Sequence, residues 1–152
     1  MKFHIPNREE FEIKTILLDL NGTLSVKGKI VKGVKKRLKK LEKLDYRIIL
    51  ITGNHRGNAN KLAQKLGIDC AVCNNAEEKE KEILSLEPET CASIGNSRID
   101  IGTFKHAKVS VLTIEGEGIH IETLPFCDII VKSINDALDL FIDKDSLIAT
   151  MK

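Results

Sequence analysis

Thr15-Ile16-Leu17-Leu18-Asp19-Leu20-Asn21-Gly22-Thr23 is an aliphatic run that stops at a carboxylate and breaks into a turn. The near-continuous apolar stretch over residues 14–20 predicts a buried strand with Asp19 at its tip. Downstream the same device recurs. Residues 46–51 form a second buried strand ending at Thr52-Gly53-Asn54, and residues 70–73 a third. Residues 90–94 form a fourth, closed by Gly95-Asn96-Ser97, and residues 108–113 and 128–131 two more. Helical stripes lie between them. Val34, Leu38, Leu41 and Leu44 share one face, as do Ala59, Leu62, Ala63 and Leu66, with Gly67 as a C-cap. A charged helix is predicted over 76–86, a short one over 99–107, and two terminal ones over 135–142 and 146–151.

Strands alternating with helices at this spacing imply βαβ units: an α/β, Rossmann-like parallel sheet with helices on both faces. Upstream, Phe3-His4-Ile5 pairs with Glu10-Phe11-Glu12-Ile13 across a turn at Pro6-Asn7, and Val26-Lys27-Gly28-Lys29-Ile30 is a hairpin turning at Gly28. No repeat or Gly/Ser linker divides the 152 residues, so a single domain over 1–152 is expected.

Composition narrows the function classes. Twenty-four Lys and Arg against 22 Asp and Glu leave a net charge of +2, so the chain is neither a polycation nor an acidic tail. Aromatics make up 4% and Trp is absent, which argues against a base-stacking nucleic-acid platform. The apolar runs fall far short of the ~20 residues that span a bilayer. Met1-Lys2-Phe3-His4-Ile5-Pro6 has no apolar signal-peptide core, and a soluble, cytoplasmic protein is expected. The four cysteines, at 70, 73, 91 and 127, need no disulfide framework at this length. Cys70 and Cys73 form C-x-x-C, but alternation puts them on opposite faces of a strand, and no second pair completes a metal site. Buried structural thiols are expected.

In open parallel sheets the ligand crevice lies beyond the carboxyl ends of the strands. The polar clusters at 19–23, 52–54 and 95–100 all follow apolar strands at that edge. A carboxylate at a strand tip can attack phosphorus and form an aspartyl-phosphate. Gly22 lets the backbone approach a phosphate and Thr23 can donate to it; an ordinary Asn-Gly turn is the plainer alternative. Thr52 can hold a phosphoryl oxygen, and Gly53 and Asn54 continue its loop as candidate substrate-binding residues. Asn96 and Asp100 can offer oxygen ligands to Mg²⁺, or can simply cap a helix. Taken alone, Lys79 is one more solvated residue of the run Glu77-Glu78-Lys79-Glu80-Lys81-Glu82. His55 reads as a loop histidine. Lys32, Lys35, Lys36, Arg37, Lys39, Lys40 and Lys43 make either a solvated helix face or an anion-attracting patch.

The order Asp19, Thr52, Lys79, then the polar motif Gly95-Asn96-Ser97-Arg98-Ile99-Asp100 resembles the haloacid dehalogenase superfamily of phosphotransferases. Its first motif reads Asp-x-Asp-Gly-Thr and its last Gly-Asp-x-x-Asn-Asp. More narrowly, Asp19-Leu20-Asn21-Gly22-Thr23-Leu24, Ile94-Gly95-Asn96, and the ending Asp136-Ala137-Leu138-Asp139-Leu140 with Leu147-Ile148-Ala149-Thr150 are similar to the small soluble P-type ATPases. The resemblance implies a phosphohydrolase acting on a small phosphorylated substrate, with Asp19 as nucleophile and Mg²⁺ as cofactor. Asp19, the carbonyl of Asn21, Asn96 and Asp100 would serve the metal; Thr52 and Lys79, with Lys81 in reserve, would hold the phosphoryl group.

Two departures follow from the same comparison. Asn21 stands where the phosphatases keep an acid/base Asp, a position that the cation pumps also leave without an acid. Asn96 stands where a carboxylate ligand is usual, and Ile99 where an Asn is. Asn cannot protonate an alkoxide, so phosphoanhydrides or other activated phosphates are the expected substrates, and a catalytically weak or inactive phosphate-binding or oligomeric scaffold domain is the alternative. The intervals from Asp19 to Thr52 and from Thr52 to Lys79 leave no room for a cap domain. An open site is expected, or one covered by a neighbouring subunit of a homo-oligomer.

Overall fold

The computed structural model describes residues 1–6 and 8–152. A short antiparallel pair, β1 (Lys2–Phe3) and β2 (Phe11–Glu12), sits at the N-terminus with Phe3 opposite Phe11. The Asn7 half of the turn expected at Pro6-Asn7 lies outside the described residues. The aliphatic run becomes β3 (Thr15–Leu18), buried along its whole length. The hairpin β4 (Ser25–Val26) and β5 (Lys29–Ile30) follows, and its two turn residues, Lys27 and Gly28, both have positive φ. That is the backbone twist a two-residue hairpin loop requires. Next come α1 (Val34–Lys43), β6 (Arg47–Thr52), α2 (Ala59–Leu66), β7 (Asp69–Val72) and α3 (Ala76–Leu84). β8 (Cys91–Gly95), α4 (Ile101–Phe104), β9 (Val109–Thr113), β10 (Ile129–Val131), α5 (Ile134–Ile142) and α6 (Lys144–Met151) complete the chain.

The six strands of the main sheet run in the order β10-β9-β8-β3-β6-β7, and every pairing is parallel. Side-chain alternation then divides the core. Ile16, Leu18, Ile48 and Leu50 face the larger apolar cluster, which α1, α2, α5 and α6 complete through Val34, Leu38, Ala63, Leu138 and Leu147. Leu17, Ile49 and Ile51 face the smaller cluster, which includes Ile83 of α3. The expected parallel sheet with helices on both faces is present. Between β3 and β6 there is only the hairpin and α1, and between β6 and α3 only α2 and β7, so no cap is inserted among the described residues.

Some expectations need adjusting. Leu44 lies past the end of α1 and is exposed, so the helical stripe ends at Leu41. The helix expected over 99–107 is a tight turn over Arg98–Asp100 followed by the four-residue α4. The turns Pro88–Thr90 and Ile121–Phe126 carry no periodic apolar signal in the sequence. All four cysteines are free thiols; Cys73 and Cys91 are buried, but Cys70 and Cys127 only half so. Cys70 packs on the larger cluster and Cys73 in the smaller one, on opposite faces as alternation requires. Lys35, Lys36, Lys39, Lys40 and Lys43 of α1 are exposed, whereas Arg37 makes a two-pronged ion pair with Asp139 of α5. No helix among the described residues is long and apolar enough to cross a membrane.

The approach of α3 to α4 positions the site. A β-carbon built on Gly102 would run into the carbonyl oxygen of Ala76, the first residue of α3. Only a residue without a side chain lets the two helices close to this distance. Gly102→Ala should therefore destabilise the fold by roughly 1–3 kcal/mol, the usual cost of overpacking a close contact. Urea denaturation followed by circular dichroism measures it, and an unchanged midpoint would contradict the packing argument.

Candidate active site

After β3 the chain builds outward to β6 and β7 on one side, then returns to add β8, β9 and β10 on the other. The carboxyl end of β3 is thus the point where the direction of winding reverses, the place where open α/β sheets hold ligands. Register delivers the residues to it. Leu18 pairs with Leu50 on one side and with Ile94 on the other, and Asp19 N–H continues the ladder to the Ile94 carbonyl at 3.0 Å. Asp19, Thr52 and Asn96 therefore emerge side by side from three adjacent strands.

Asp19 has the parity of Leu17, so it faces the smaller cluster and α3. Lys79 meets it there. Lys79 shares a helix face with Ile83, one turn on, and is fully buried. Its Nζ donates to Asp19 Oδ1 at 2.8 Å and to Asp100 Oδ1 at 2.5 Å. Helix α3 is held for this by Asn75, whose side chain accepts the Glu78 N–H, and by Glu77 and Glu78 in its first turn, where the dipole favours acids. Lys81, the reserve for this position, is exposed.

The electrostatics are those of one cation between two anions out of water. Burial and the nearby charge of Asp100 push the Asp19 carboxyl up to about 7, while Lys79 and the Leu20 N–H pull the other way. Burial by itself would lower Lys79. The charges of Asp100 and Asp19 and its hydrogen bonds to both outweigh that and hold the ammonium above the ordinary lysine value. Asp100 spends its other oxygen, Oδ2, on three donors: Asn96 N at 2.9 Å, Ser97 N at 2.8 Å and Ser97 Oγ at 2.9 Å. Expected among the metal ligands, Asp100 is committed here to holding Lys79 and the turn after β8.

Residues 19–25 wind into a tight turn. Gly22 N–H donates to the Ser25 carbonyl at 2.7 Å and Ser25 N–H to the Leu20 carbonyl at 2.8 Å. Gly22 has a φ of +76°, and a β-carbon there would collide with the Asn96 amide nitrogen. It is glycine for both reasons. Thr23, fully buried, donates its hydroxyl to Asn96 Oδ1 at 3.2 Å. Asn96 Nδ2 in turn donates to the Gly118 carbonyl at 2.8 Å. On the other side Thr52 is buried at the tip of β6, and its Oγ1 accepts the Asn54 N–H at 3.3 Å, which leaves the hydroxyl proton free to donate. Gly53 is half-buried; Asn54 has a φ of +49°, and its Oδ1 accepts the Ala59 N–H at the start of α2 at 2.9 Å. His55 is exposed.

Two features at the mouth escaped the sequence reading. Arg56 Nε donates to Asn21 Oδ1 at 3.3 Å. The loop over 114–120 folds across the hairpin: Glu117 accepts the Lys27 N–H at 2.6 Å, and His120 N–H donates to the Asn96 carbonyl at 2.9 Å. The only sequence signal for the first is a cation in the loop after a strand tip; for the second it is the glycine-bracketed Gly116-Glu117-Gly118.

Of the residues expected at a metal, Asp19, the Asn21 carbonyl and Asn96, whose Oδ1 accepts from Thr23, offer oxygens, while both oxygens of Asp100 accept hydrogen bonds. These are hard oxygens, as Mg²⁺ requires, and the ion is commonly held by one or two carboxylates with the rest of its shell from water and substrate phosphate. Among the described residues no group of three or more acidic, His or Cys side chains converges as a metal centre. The oxygen set fits Mg²⁺.

The profile of the family described as haloacid dehalogenase-like hydrolase matches residues 16–78, the stretch from β3 to the start of α3. An uncharacterized protein of Methanocaldococcus jannaschii is 40% identical over 60 residues, 40% of this chain and 64% of that protein. The chain thus spans less than two thirds of that relative. Among solved structures, the cobalt-bound deoxy-D-mannose-octulosonate 8-phosphate phosphatase of Haemophilus influenzae superposes with a TM-score of 0.72 at 16% identity, over 89% of this chain and 91% of that one. The 3-deoxy-D-manno-octulosonate 8-phosphate phosphatase of Moraxella catarrhalis, in complex with magnesium ion, phosphate ion and the KDO molecule, gives 0.68 at 20% identity, over 92% and 94%. At such identities the likeness is one of fold.

The Lys79 pairing has a stability consequence. Lys79→Met leaves two carboxylates buried without a counter-charge and should cost about 3–5 kcal/mol. Combining it with Asp19→Asn removes one of those charges and should recover part of the loss. Denaturation curves of the single and double variants decide this; a single variant as stable as the wild type would show that the ammonium is not neutralising the pair.

Proposed function

We propose that this chain, which has the haloacid dehalogenase-like fold, is a phosphohydrolase working through an aspartyl-phosphate on Asp19. The carrying observation is that Lys79 reaches Asp19 and Asp100 from a helix on which it is the one fully buried charge. A lysine is held at such cost where its charge has work to do. With substrate bound, Asp19 attacks phosphorus, the bond to the bridging oxygen breaks, and the leaving group takes the electron pair. Lys79 neutralises the nucleophile and incoming phosphoryl oxygens. Thr52, Thr23 and the backbone around Gly22 donate to those oxygens, with Gly53 and Asn54 shaping the far wall. Asp100 positions Lys79. Mg²⁺, held by Asp19, the Asn21 carbonyl and Asn96, would supply further charge neutralisation at the phosphoryl group.

Asn21 decides the class of leaving group. An amide has no proton to give, so alkoxides leave poorly, while a phosphate or carboxylate departs unprotonated. Phosphoanhydrides and acyl phosphates are therefore the favoured substrates, in keeping with the resemblance to soluble P-type ATPases. The same amide is a poor base for the water that must hydrolyse the phosphoenzyme, which should accumulate. A second reading, a site that binds phosphate without turnover, is favoured by Asn96, whose amide is tied to Thr23 and Gly118. A cytoplasmic setting, a single domain over 1–152, and a homo-oligomer that covers the open mouth complete the proposal.

Acid-quench labelling with a γ-labelled nucleoside triphosphate and with labelled acetyl phosphate tests it. Label should be retained by the wild type and absent from Asp19→Asn, while the variant stays folded. Retention of label in Asp19→Asn would overturn the assignment of the nucleophile. Asn21→Asp should raise turnover of a sugar phosphate by up to ~10²-fold, within the range that a positioned acid/base group contributes. Steady-state kinetics in excess Mg²⁺ check this, and background rates in both proteins would favour the site without turnover. Calorimetry should find Mg²⁺ binding to the free protein only at about millimolar metal, tightening when phosphate completes the shell.

A further inference from the structure

We infer that Arg56 is the leaving-group recognition residue of this site, and that it selects substrates whose leaving group carries negative charge of its own: diphosphates and acyl phosphates. The inference rests on the phosphohydrolase reading and deepens it.

Three observations converge on this side chain. First is its place. Arg56 belongs to the loop after β6, yet its Nε reaches Asn21 Oδ1 at 3.3 Å, two residues beyond Asp19. Second is its support. A β-carbon on Gly28, at the tip of the β4–β5 hairpin, would stand 3.6 Å from Arg56 Cδ and 3.7 Å from its Cζ and Nε. The stem therefore lies along the hairpin tip, and the guanidinium spans the gap between hairpin and loop at the open mouth. Third is its unspent charge. Arg37, Arg47 and Arg98 each pair with a carboxylate, of Asp139, Asp69 and Glu122. No ion pair is formed by Arg56 among the described residues, and its one side-chain hydrogen bond there uses Nε on a neutral amide. Four N–H donors remain, in the fork that matches a phosphate or carboxylate.

Chemistry gives the reason for a cation there. In-line displacement puts the leaving oxygen on the side of phosphorus away from Asp19, toward the mouth. When the bridging P–O bond breaks, that oxygen takes both electrons. Asn21 cannot supply a proton, so the charge must be met by a donor that keeps its own. A guanidinium does this and never deprotonates. Asn21 then serves to orient it: the amide that cannot act as an acid accepts from Nε and aims the remaining fork outward. A leaving group that is itself a phosphate or carboxylate meets that fork in two-pronged fashion. An uncharged sugar offers it nothing comparable.

The test compares two substrates that both leave unprotonated but differ in leaving-group charge: pyrophosphate and p-nitrophenyl phosphate. Arg56→Gln should lower kcat/KM for pyrophosphate by about 10- to 100-fold more than for p-nitrophenyl phosphate, the scale of one charge-assisted hydrogen bond. Arg56→Lys should restore only part of the difference, because an ammonium lacks the fork. Equal losses on both substrates, or none on pyrophosphate, would overturn the assignment. Should the wild type release phosphate from neither substrate, turnover fails as a reading and binding decides about Arg56. Calorimetry with methylenediphosphonate and with inorganic phosphate, both with Mg²⁺, then supports the inference if Arg56→Gln weakens the diphosphonate at least tenfold more. It sinks the inference if both ligands change alike.

Discussion

A fully buried ammonium can persist only if other charges make water unnecessary, and Lys79 sets that condition for the whole crevice. Taking such an ion out of water costs several kcal/mol even after relaxation, recovered only with near-ideal partners. Its partners come from separate places: Asp19 from the tip of β3, and Asp100 from the turn after β8. The three groups tie α3, β3 and β8 to one point. Asp100 carries the constraint on through its second oxygen, which gathers the backbone of Asn96 and Ser97. Gly102 belongs to the same system, since α3 reaches Asp19 only because α4 has no side chain where the helices touch. Stability and candidate chemistry are thus one arrangement.

The site that results sets one buried ammonium between two carboxylates and puts amides on either side of them. Two carboxylates share Lys79, and the positions where acids are usual in the resembling family, 21 and 96, are amides. An amide holds geometry without changing charge state. Asn96 binds Thr23 and Gly118 together, and Asn21 holds Arg56. Amides at these positions give the site no proton to transfer there. The preference for anionic leaving groups proposed above rests on these amides, which cannot supply a proton.

Periodicity and punctuation made most of the fold legible. The parallel strands of the main sheet, the hairpin turning at Gly28, and the helices that cover the two faces all follow from where aliphatic residues recur and where Gly and Asn interrupt them. These are local signals, because a strand or helix declares its buried face within a few residues. The same logic put Asp19, Thr52 and Asn96 at strand tips and Cys70 and Cys73 on opposite faces. It failed at short, non-periodic pieces: the turn over Arg98–Asp100, the segment Ile121–Phe126, and Leu44 just past its helix.

The sequence by itself therefore determined the α/β architecture, the position of the crevice and the identity of its strand-tip residues. What each charged group faces was decided only by the tertiary structure. Lys79 and Lys81 are two residues apart in one charge run; the spacing from Lys79 to Ile83 hints at the buried face, but only packing of α3 on the sheet buries the first beside its two carboxylates and leaves the second in water. That Asp100 joins Lys79 to the turn after β8 likewise depends on contacts between separate elements. Arg56 and the loop over 114–120 reach the site by contacts spanning 35 residues to Asn21 and 22 to Asn96. The physical reason is one of range. Apolar burial follows from the repeat of a single element, whereas charge burial needs a partner, and the partner here always comes from another element.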